Sequence, residues 1–189
     1  PSVNWCYQSE PEPNVRGQRF LLPRGRVLGG SSSINGMVYV RGQPEDFDHW
    51  AQLGNRGWSC EDLLPYFKKS ENNTRGADHF HGIGGPLSVS DLTERAGICE
   101  YMIRAGEEIG IPRNDDLNGQ IQEGIGYHQA TIRNGRRCST AKAFLEPVRS
   151  RQNLRVETEA LATRILFNGK RATGVLYVQG GVTRQVRTT

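Results

Sequence analysis

Residues 25–42 read Gly25-Arg26-Val27-Leu28-Gly29-Gly30-Ser31-Ser32-Ser33-Ile34-Asn35-Gly36-Met37-Val38-Tyr39-Val40-Arg41-Gly42, combining paired glycines, three hydroxyls, an Asn-Gly step and a short apolar run. Glycine leaves the main chain unshielded, so a ligand can approach the amides closely, and hydroxyls add donors for anionic oxygens. Arg24 and Arg26 place positive charge beside them. The chemistry such a stretch supports is the cradling of a large flat or phosphorylated ligand. A structural Gly-Ser loop has the same composition, so composition alone leaves both readings open.

Other chemistry-bearing residues give weaker signals. Gly25 and Gly30 have the four-residue gap of a phosphate-binding loop, but Ser31 stands where the lysine that reaches the phosphates belongs. Gly124-Ile125-Gly126 begins a dinucleotide fingerprint, yet Gln129 replaces its third glycine and a strand pattern follows, so it reads as a turn. His79-Phe80-His81 lies in a glycine-rich loop with no adjacent carboxylate and cysteine set, and no metal site is expected there. His49 and His128 lack partners in the sequence; Asp115 and Asp116 adjoin in a loop and are expected to face water. Cys6, Cys60, Cys99 and Cys138 are far apart and form no Cys-x-x-Cys pair, which suits free thiols in a reducing compartment.

The elements that must position these residues follow from periodicity and caps. Residues 1–24 read as extended and loop-like around Pro11 and Pro13. Helices are predicted over Glu45 to Leu53 and from an N-cap at Ser59 to about Asn72, with Leu63, Leu64, Tyr66 and Phe67 as its buried stripe and Pro65 discordant. Pro86 to Ser90 alternates as a strand, and Glu94 to Ile109 repeats Ile98, Tyr101, Met102, Ala105 and Ile109 at helical spacing. A long loop from Pro112 to Gly126 leads to a strand over Tyr127 to Arg133, then an Asn134-Gly135 hairpin turn. Ser139 caps a helix to about Leu145, and strands follow over Leu154 to Thr158, Ala162 to Phe167 and Thr173 to Gln179.

The run Gly25 to Asn35, with Tyr39, Gly42 and Asp48 at their spacings, resembles the first signature of the glucose-methanol-choline (GMC) flavoprotein oxidoreductases. The likeness extends through Trp5 to Arg24, Asp46-Phe47-Asp48-His49-Trp50, Gly57-Trp58, His81-Gly82, Gly85-Pro86-Leu87-Ser88-Val89, Asn134 to Ser139 and Asn153 to Val156, in the flavour of the choline dehydrogenase and alcohol dehydrogenase branch. The resemblance implies an α/β fold: a fragment of a FAD-binding, Rossmann-like domain plus part of an α+β substrate-binding domain. It places a flavin-contacting FAD-binding segment at 1–85, the first part of the substrate-binding domain at 86–137 and a return to the FAD-binding domain at 138–189. By the same resemblance Arg26, Gly29, Gly30, Ser31 and Ser32 lie near the pyrophosphate and ring edge. Asn35, Gly36, Met37 and Val38 run along the isoalloxazine, and the main chain of Ala162 grips the adenine. Some relatives carry a flavin-linked histidine where Ile34 stands, so non-covalent FAD is expected.

The implied reaction is oxidation of the CH–OH group of choline or another primary alcohol, with hydride transfer to flavin N5 and oxygen or a quinone as electron acceptor. The family's catalytic base is a histidine expected beyond residue 189, and the dinucleotide fingerprint is expected before residue 1, so no catalytic residue is assigned within this chain and the piece alone is expected to be inactive. Cytoplasmic location is expected, with peripheral membrane association allowed. The 23 glycines among 189 residues, where ordinary usage of roughly 7% gives about 13, suit a ligand-wrapping segment. A net charge of +4 is mild, and Arg133, Arg136, Arg137, Arg149, Arg151 and Arg155 read as a solvated face rather than a nucleic-acid surface, since no aromatic platform accompanies them. The alternative is a non-catalytic basic module for an acidic partner or nucleic acid.

Overall fold

Asn4 sets the path of the chain into the glycine-rich segment: its Oδ1 accepts the N–H groups of Cys6 and Arg24, both at 3.0 Å. In this computed structural model, which describes residues 2–188, strands β1 (Tyr7–Gln8) and β2 (Leu21–Leu22) pair antiparallel. A short 3-10 turn, Pro13–Val15, opens with Asn14 N–H bonded to the Glu12 carboxylate at 3.2 Å and closes with Arg16 in the left-handed region. The ribbon ends at an Asn4–Gly25 bridge. Residues 25–42 therefore leave from a pinned base.

Helix α1 (Pro44–Gln52) starts where Pro44 has no N–H to lose and the Asp46 carboxylate takes the Gln43 N–H at 2.9 Å. Ser59 and Asp62 cap α2 (Cys60–Ser70) reciprocally. The two helices meet through Phe47 and Phe67, with ring centroids 5.6 Å apart. Tyr66 of the expected stripe is exposed. The helix stops at Ser70, two residues short of expectation, because Glu71 leaves the helical path to pair with buried cations. Glu71–Asn73 form β4, parallel to β5 (Leu87–Val89). In α3 (Gly97–Glu108) Ile103 and Gly106 are buried while Ile98, Tyr101 and Met102, and Ile109 just past its end, stay exposed. At Gly106 a Cβ would sit 2.9 Å from the end of the Ile125 side chain, so a larger residue there would make Ile125 shift.

Strand β3 (Val38–Tyr39) pairs with β6 (Gln129–Ala130), and Ala130 also exchanges hydrogen bonds with Ser90, just past β5. This links β4, β5, β6 and β3 beneath the glycine-rich loop. The strand expected over Tyr127 to Arg133 is interrupted at Thr131, whose N–H turns to the Met37 carbonyl at 2.9 Å. Beyond it β7 (Ile132–Arg133) and β8 (Arg136–Arg137) form the hairpin expected at Asn134-Gly135, both with positive φ. The helix expected after Ser139 is a wide π-type turn, Ala141–Leu145, continued by a 3-10 turn, Glu146–Val148.

The chain divides into two compact units, Pro1–Val148 and Arg149–Thr189. The buried apolar residues Phe47, Val89, Ile103, Ala130, Cys138 and Ala143 all belong to the first. The second is an antiparallel meander of β9 (Ala160–Asn168), β10 (Arg171–Gln179) and β11 (Val182–Arg187), in the order β11-β10-β9. Leu154 to Thr158, expected as a strand, is irregular, and Val182–Arg187 pairs instead. The fold is mixed α/β, as expected. Among the described residues, no helix is long and apolar enough to cross a membrane.

Candidate functional site

Gly29 and Gly30 both take positive φ, 88° and 55°, which folds the chain into a 3-10 turn over Gly30–Ser33. At Gly29 a Cβ would lie 2.5 Å from Ser33 Oγ and 3.2 Å from Ala141. Gly30 and Gly36 face open space, with nothing within 4 Å of where a Cβ would stand. The N–H groups of Gly29 and Gly36 find no acceptor among the described residues. These bared amides are available to an anionic or carbonyl oxygen.

The three hydroxyls divide their work in a way composition does not reveal. Ser32 Oγ donates to the Gly29 carbonyl at 2.5 Å and accepts Thr140 N–H at 2.9 Å, and Ser33 Oγ donates to the Leu28 carbonyl at 2.9 Å. Both lock the loop's own shape. Ser31 Oγ accepts Gly25 N–H at 3.1 Å and keeps its own proton free among the described residues. Arg137 braces the far side, donating to Ser32 O at 3.1 Å and Asn35 Oδ1 at 2.7 Å. Asn35 Oδ1 also takes Met37 N–H at 3.1 Å, an Asx turn that holds Met37 at φ 64°, a conformation costly for a residue with a side chain. Arg26 donates its N–H to Val3 O at 2.7 Å and lays its guanidinium over Trp5, 4.9 Å from the ring centre. Ile34 closes the 3-10 turn, half-buried.

From Gly36 onward the strand presents two different faces. Val38 and Val40 are exposed, whereas Tyr39 and Arg41 turn inward. Bared amides and a held cation beside an exposed apolar strip suit a cofactor with a charged diphosphate and a flat ring, so these residues fit FAD. The loop brings Arg26, Gly29, Gly30, Ser31, Ser32, Asn35, Gly36, Met37 and Val38 together. Ala162 lies in the second unit, on edge strand β9 beside a register shift opposite Leu176 and Tyr177. It lines a hollow of about 690 Å³ with Arg155, Glu157, Tyr177 and Arg184. An edge strand leaves main-chain groups unpaired, as a main-chain grip requires.

Beneath β3 lies a buried ionic network that the sequence did not disclose. Arg41 and Glu71, side chains 8% and 0% exposed, pair at 2.9 Å, and Arg41 also donates to Phe80 O at 2.7 Å. Its Nε is buried without a partner among the described residues, and its guanidinium stacks 5.2 Å from the Phe67 ring centre. His81 Nδ1 meets Glu71 Oε1 at 3.1 Å and Nε2 meets Asp116 Oδ2 at 3.0 Å. Asn73 and Gln129 exchange amide hydrogen bonds of 2.8 and 3.1 Å, and Asn73 donates to Glu71 at 3.0 Å.

Two sequence expectations are corrected here. Asp116 is only partly open to water, because His81 takes one of its carboxylate oxygens; and His81 does have carboxylates beside it, brought from distant segments. Burial pushes the Tyr39 phenol up. Burial opposes ionisation of Asp78, yet the N–H groups of His81 and Phe80 hold its carboxyl below the usual range. Asp78, His81 and Asp116 have ligand-type atoms within 4.8 Å of one another. Their hydrogen bonds to each other and to main chain already account for that spacing.

A loop of bared amides and an exposed apolar strand stand together in a mixed α/β frame, features that suit a dinucleotide cofactor. Residues 11–189 match the family model for GMC oxidoreductase, and the chain belongs to that family. It is 50% identical over 182 residues to an oxygen-dependent choline dehydrogenase of Pectobacterium atrosepticum, covering 94% of this chain and 32% of that protein. The chain thus spans about a third of the length of such relatives. Among solved structures it resembles pyridoxine 4-oxidase from Mesorbium loti (TM-score 0.91, 33% identity, 99% of this chain and 37% of that one). A FAD-dependent oxidoreductase from Chaetomium thermophilum gives a TM-score of 0.90 at 30% identity, over 99% of this chain and 35% of that one. FAD is the cofactor of these flavoproteins.

Proposed function

We propose that this chain is the flavin-seating part of a FAD-dependent oxidoreductase that oxidises the CH–OH group of choline or a similar small alcohol. When bound, FAD supplies the acceptor for the hydride leaving the alcohol carbon. The chain's own contribution is placement. Gly29 and Gly36 offer N–H groups, Arg26 offers charge, and Val38 and Val40 offer a flat apolar surface that excludes water from one side of the ring. Residues 86–137 contribute the wall facing the substrate.

The observation that carries this reading is the pair of unpartnered glycine amides beside the exposed strand. Half-identity to a choline dehydrogenase supports choline, and that relative's oxygen dependence supports oxygen over a quinone as acceptor. Four unpaired cysteines suit the cytoplasm. The basic-module alternative is weakened because Arg133 is tied to Pro86 O, Arg137 to the loop and Arg155 to Glu157. Mixing the purified full-length protein with choline without oxygen tests the proposal. Bleaching of its flavin absorbance, reversed by air, is the expected result. A flavin that choline leaves unbleached contradicts the substrate assignment.

A further inference from the structure

The network under β3 is mechanically connected to the strand as well as to itself. Asp116, which meets His81 through Oδ2, accepts Asn118 N–H on Oδ1 at 3.1 Å. Asn118 then takes the place of a strand partner: its Oδ1 accepts Arg41 N–H at 2.7 Å and its Nδ2 donates to Tyr39 O at 3.0 Å. Gln122 adds a bond to Arg41 O at 2.7 Å. On the other side Glu71 holds the Arg41 guanidinium and accepts Gly82 N–H, each at 2.9 Å. Both ends of the imidazole therefore lead, within two or three side chains, to the strand that follows Gly36.

An imidazole facing a carboxylate at each nitrogen donates to both only while it carries two ring protons. The groups around it are Glu71 on β4, Arg41 after β3, Asp116 in the Pro112 to Gly126 loop, Asp78 in its own loop, and the Asn73 amide, whose Nδ2 lies 3.0 Å from Nδ1 but is shared with Glu71 and Gln129. Asp91 and Arg75 lie one step further, through Gln129 and Asn73. With His81 protonated, Arg41 and His81 both offset the carboxylates of Glu71 and Asp116. Loss of a proton to solvent leaves one carboxylate against a ring lone pair and removes one of those two positive charges.

We propose that His81, gripped by Glu71 and Asp116, is a proton-operated positioning residue: protonated, it holds the flavin-bearing strand in place, and deprotonated it loosens that strand and the cofactor on it. The inference rests on the flavin reading above. Burial alone would lower the pKa of His81, but the hydrogen bonds to Asp116 and Glu71 and their charges outweigh burial and raise it. A raised value means that the stabilisation is complete below the ordinary histidine range near ~6.5. It is lost as pH climbs through the raised value.

The test is release of FAD from the loaded full-length protein as a function of pH, read by recovery of free-flavin fluorescence. Wild type should release FAD increasingly above neutrality. Asp116→Asn removes one of the two negative charges that face the ring and should move the midpoint to lower pH. His81→Gln should flatten the profile and, below the ordinary histidine range near ~6.5, speed release at least ~10-fold. His79→Gln, the exposed neighbour, should match wild type. Unchanged profiles for Asp116→Asn and His81→Gln, or an equal shift with His79→Gln, would overturn the inference. Should His81→Gln not fold, Asp116→Asn decides alone, since its side chain is 35% exposed. A wild type that releases FAD independently of pH overturns the clamp but not the flavin reading; one that takes up no FAD overturns both.

Discussion

Gly29 and Ile34 make opposite kinds of demand on this chain. Gly29 is required by geometry: at φ 88°, with Ser33 Oγ 2.5 Å from a would-be Cβ, any side chain is strained. Gly29→Ala should cost about 1–3 kcal/mol, read as a fall in the denaturation midpoint of the full-length protein; an unchanged midpoint would show that the turn relaxes freely. Ile34 matters for what it cannot do, because an alkyl side chain forms no bond to a flavin ring. Denaturing the holoprotein should therefore release all its colour into the protein-free filtrate. The glycines, serines and Asn35 were legible as a cofactor loop because their types are chemically suggestive in an unbroken run. That Ser32 and Ser33 close the loop, leaving Ser31 with the free proton, was not legible, since it depends on where Thr140 and Leu28 end up.

At the level of elements, the loop stands on supports of unequal strength. Ser32 ties it to Thr140 across 108 residues of sequence, and Ser32→Ala should cost about 1–2 kcal/mol by leaving Thr140 N–H without its acceptor. Glu71→Gln should cost more, about 3–5 kcal/mol, because it leaves Arg41 buried without its counter-charge. Chemical denaturation of both variants measures the difference, and equal losses would mean that the ionic network is dispensable. Local signals located α1, the Ser59 cap of α2 and the Asn134-Gly135 hairpin, each of which depends on residues within four positions. They failed where a distant partner decides. Glu71 is pulled out of helix α2 into β4 by Arg41 and His81, and Val182–Arg187 becomes a strand because β10 offers it an edge, while Leu154 to Thr158 finds none. His81-Gly82 was visible only as part of a family pattern, and nothing near it in sequence named Glu71 or Asp116.

Across the whole molecule, a surface of bared amides and exposed valines rests on a buried polar set rather than on a large apolar core. Few apolar residues are fully buried, and Ile98, Tyr101 and Met102 on α3 and Leu161, Ile165, Phe167, Val182 and Val186 on β9 and β11 lie open. Stability of the first unit is thereby tied to the same charges that hold β3. The central claim is that residues 25–42 seat the flavin through bare main chain, and Gly36 tests it most directly. Its surroundings are open and its φ is outside the left-handed region, so Gly36→Val can fold while obstructing the approach. The decisive measurement is a titration of full-length apoprotein with FAD, wild type beside Gly36→Val, together with both denaturation midpoints. The account predicts one FAD per wild-type chain and affinity at least ~10-fold weaker in the variant, about 1.4 kcal/mol, with the apoprotein midpoints equal. Equal affinity in the two proteins, or no FAD uptake by wild type, would contradict it.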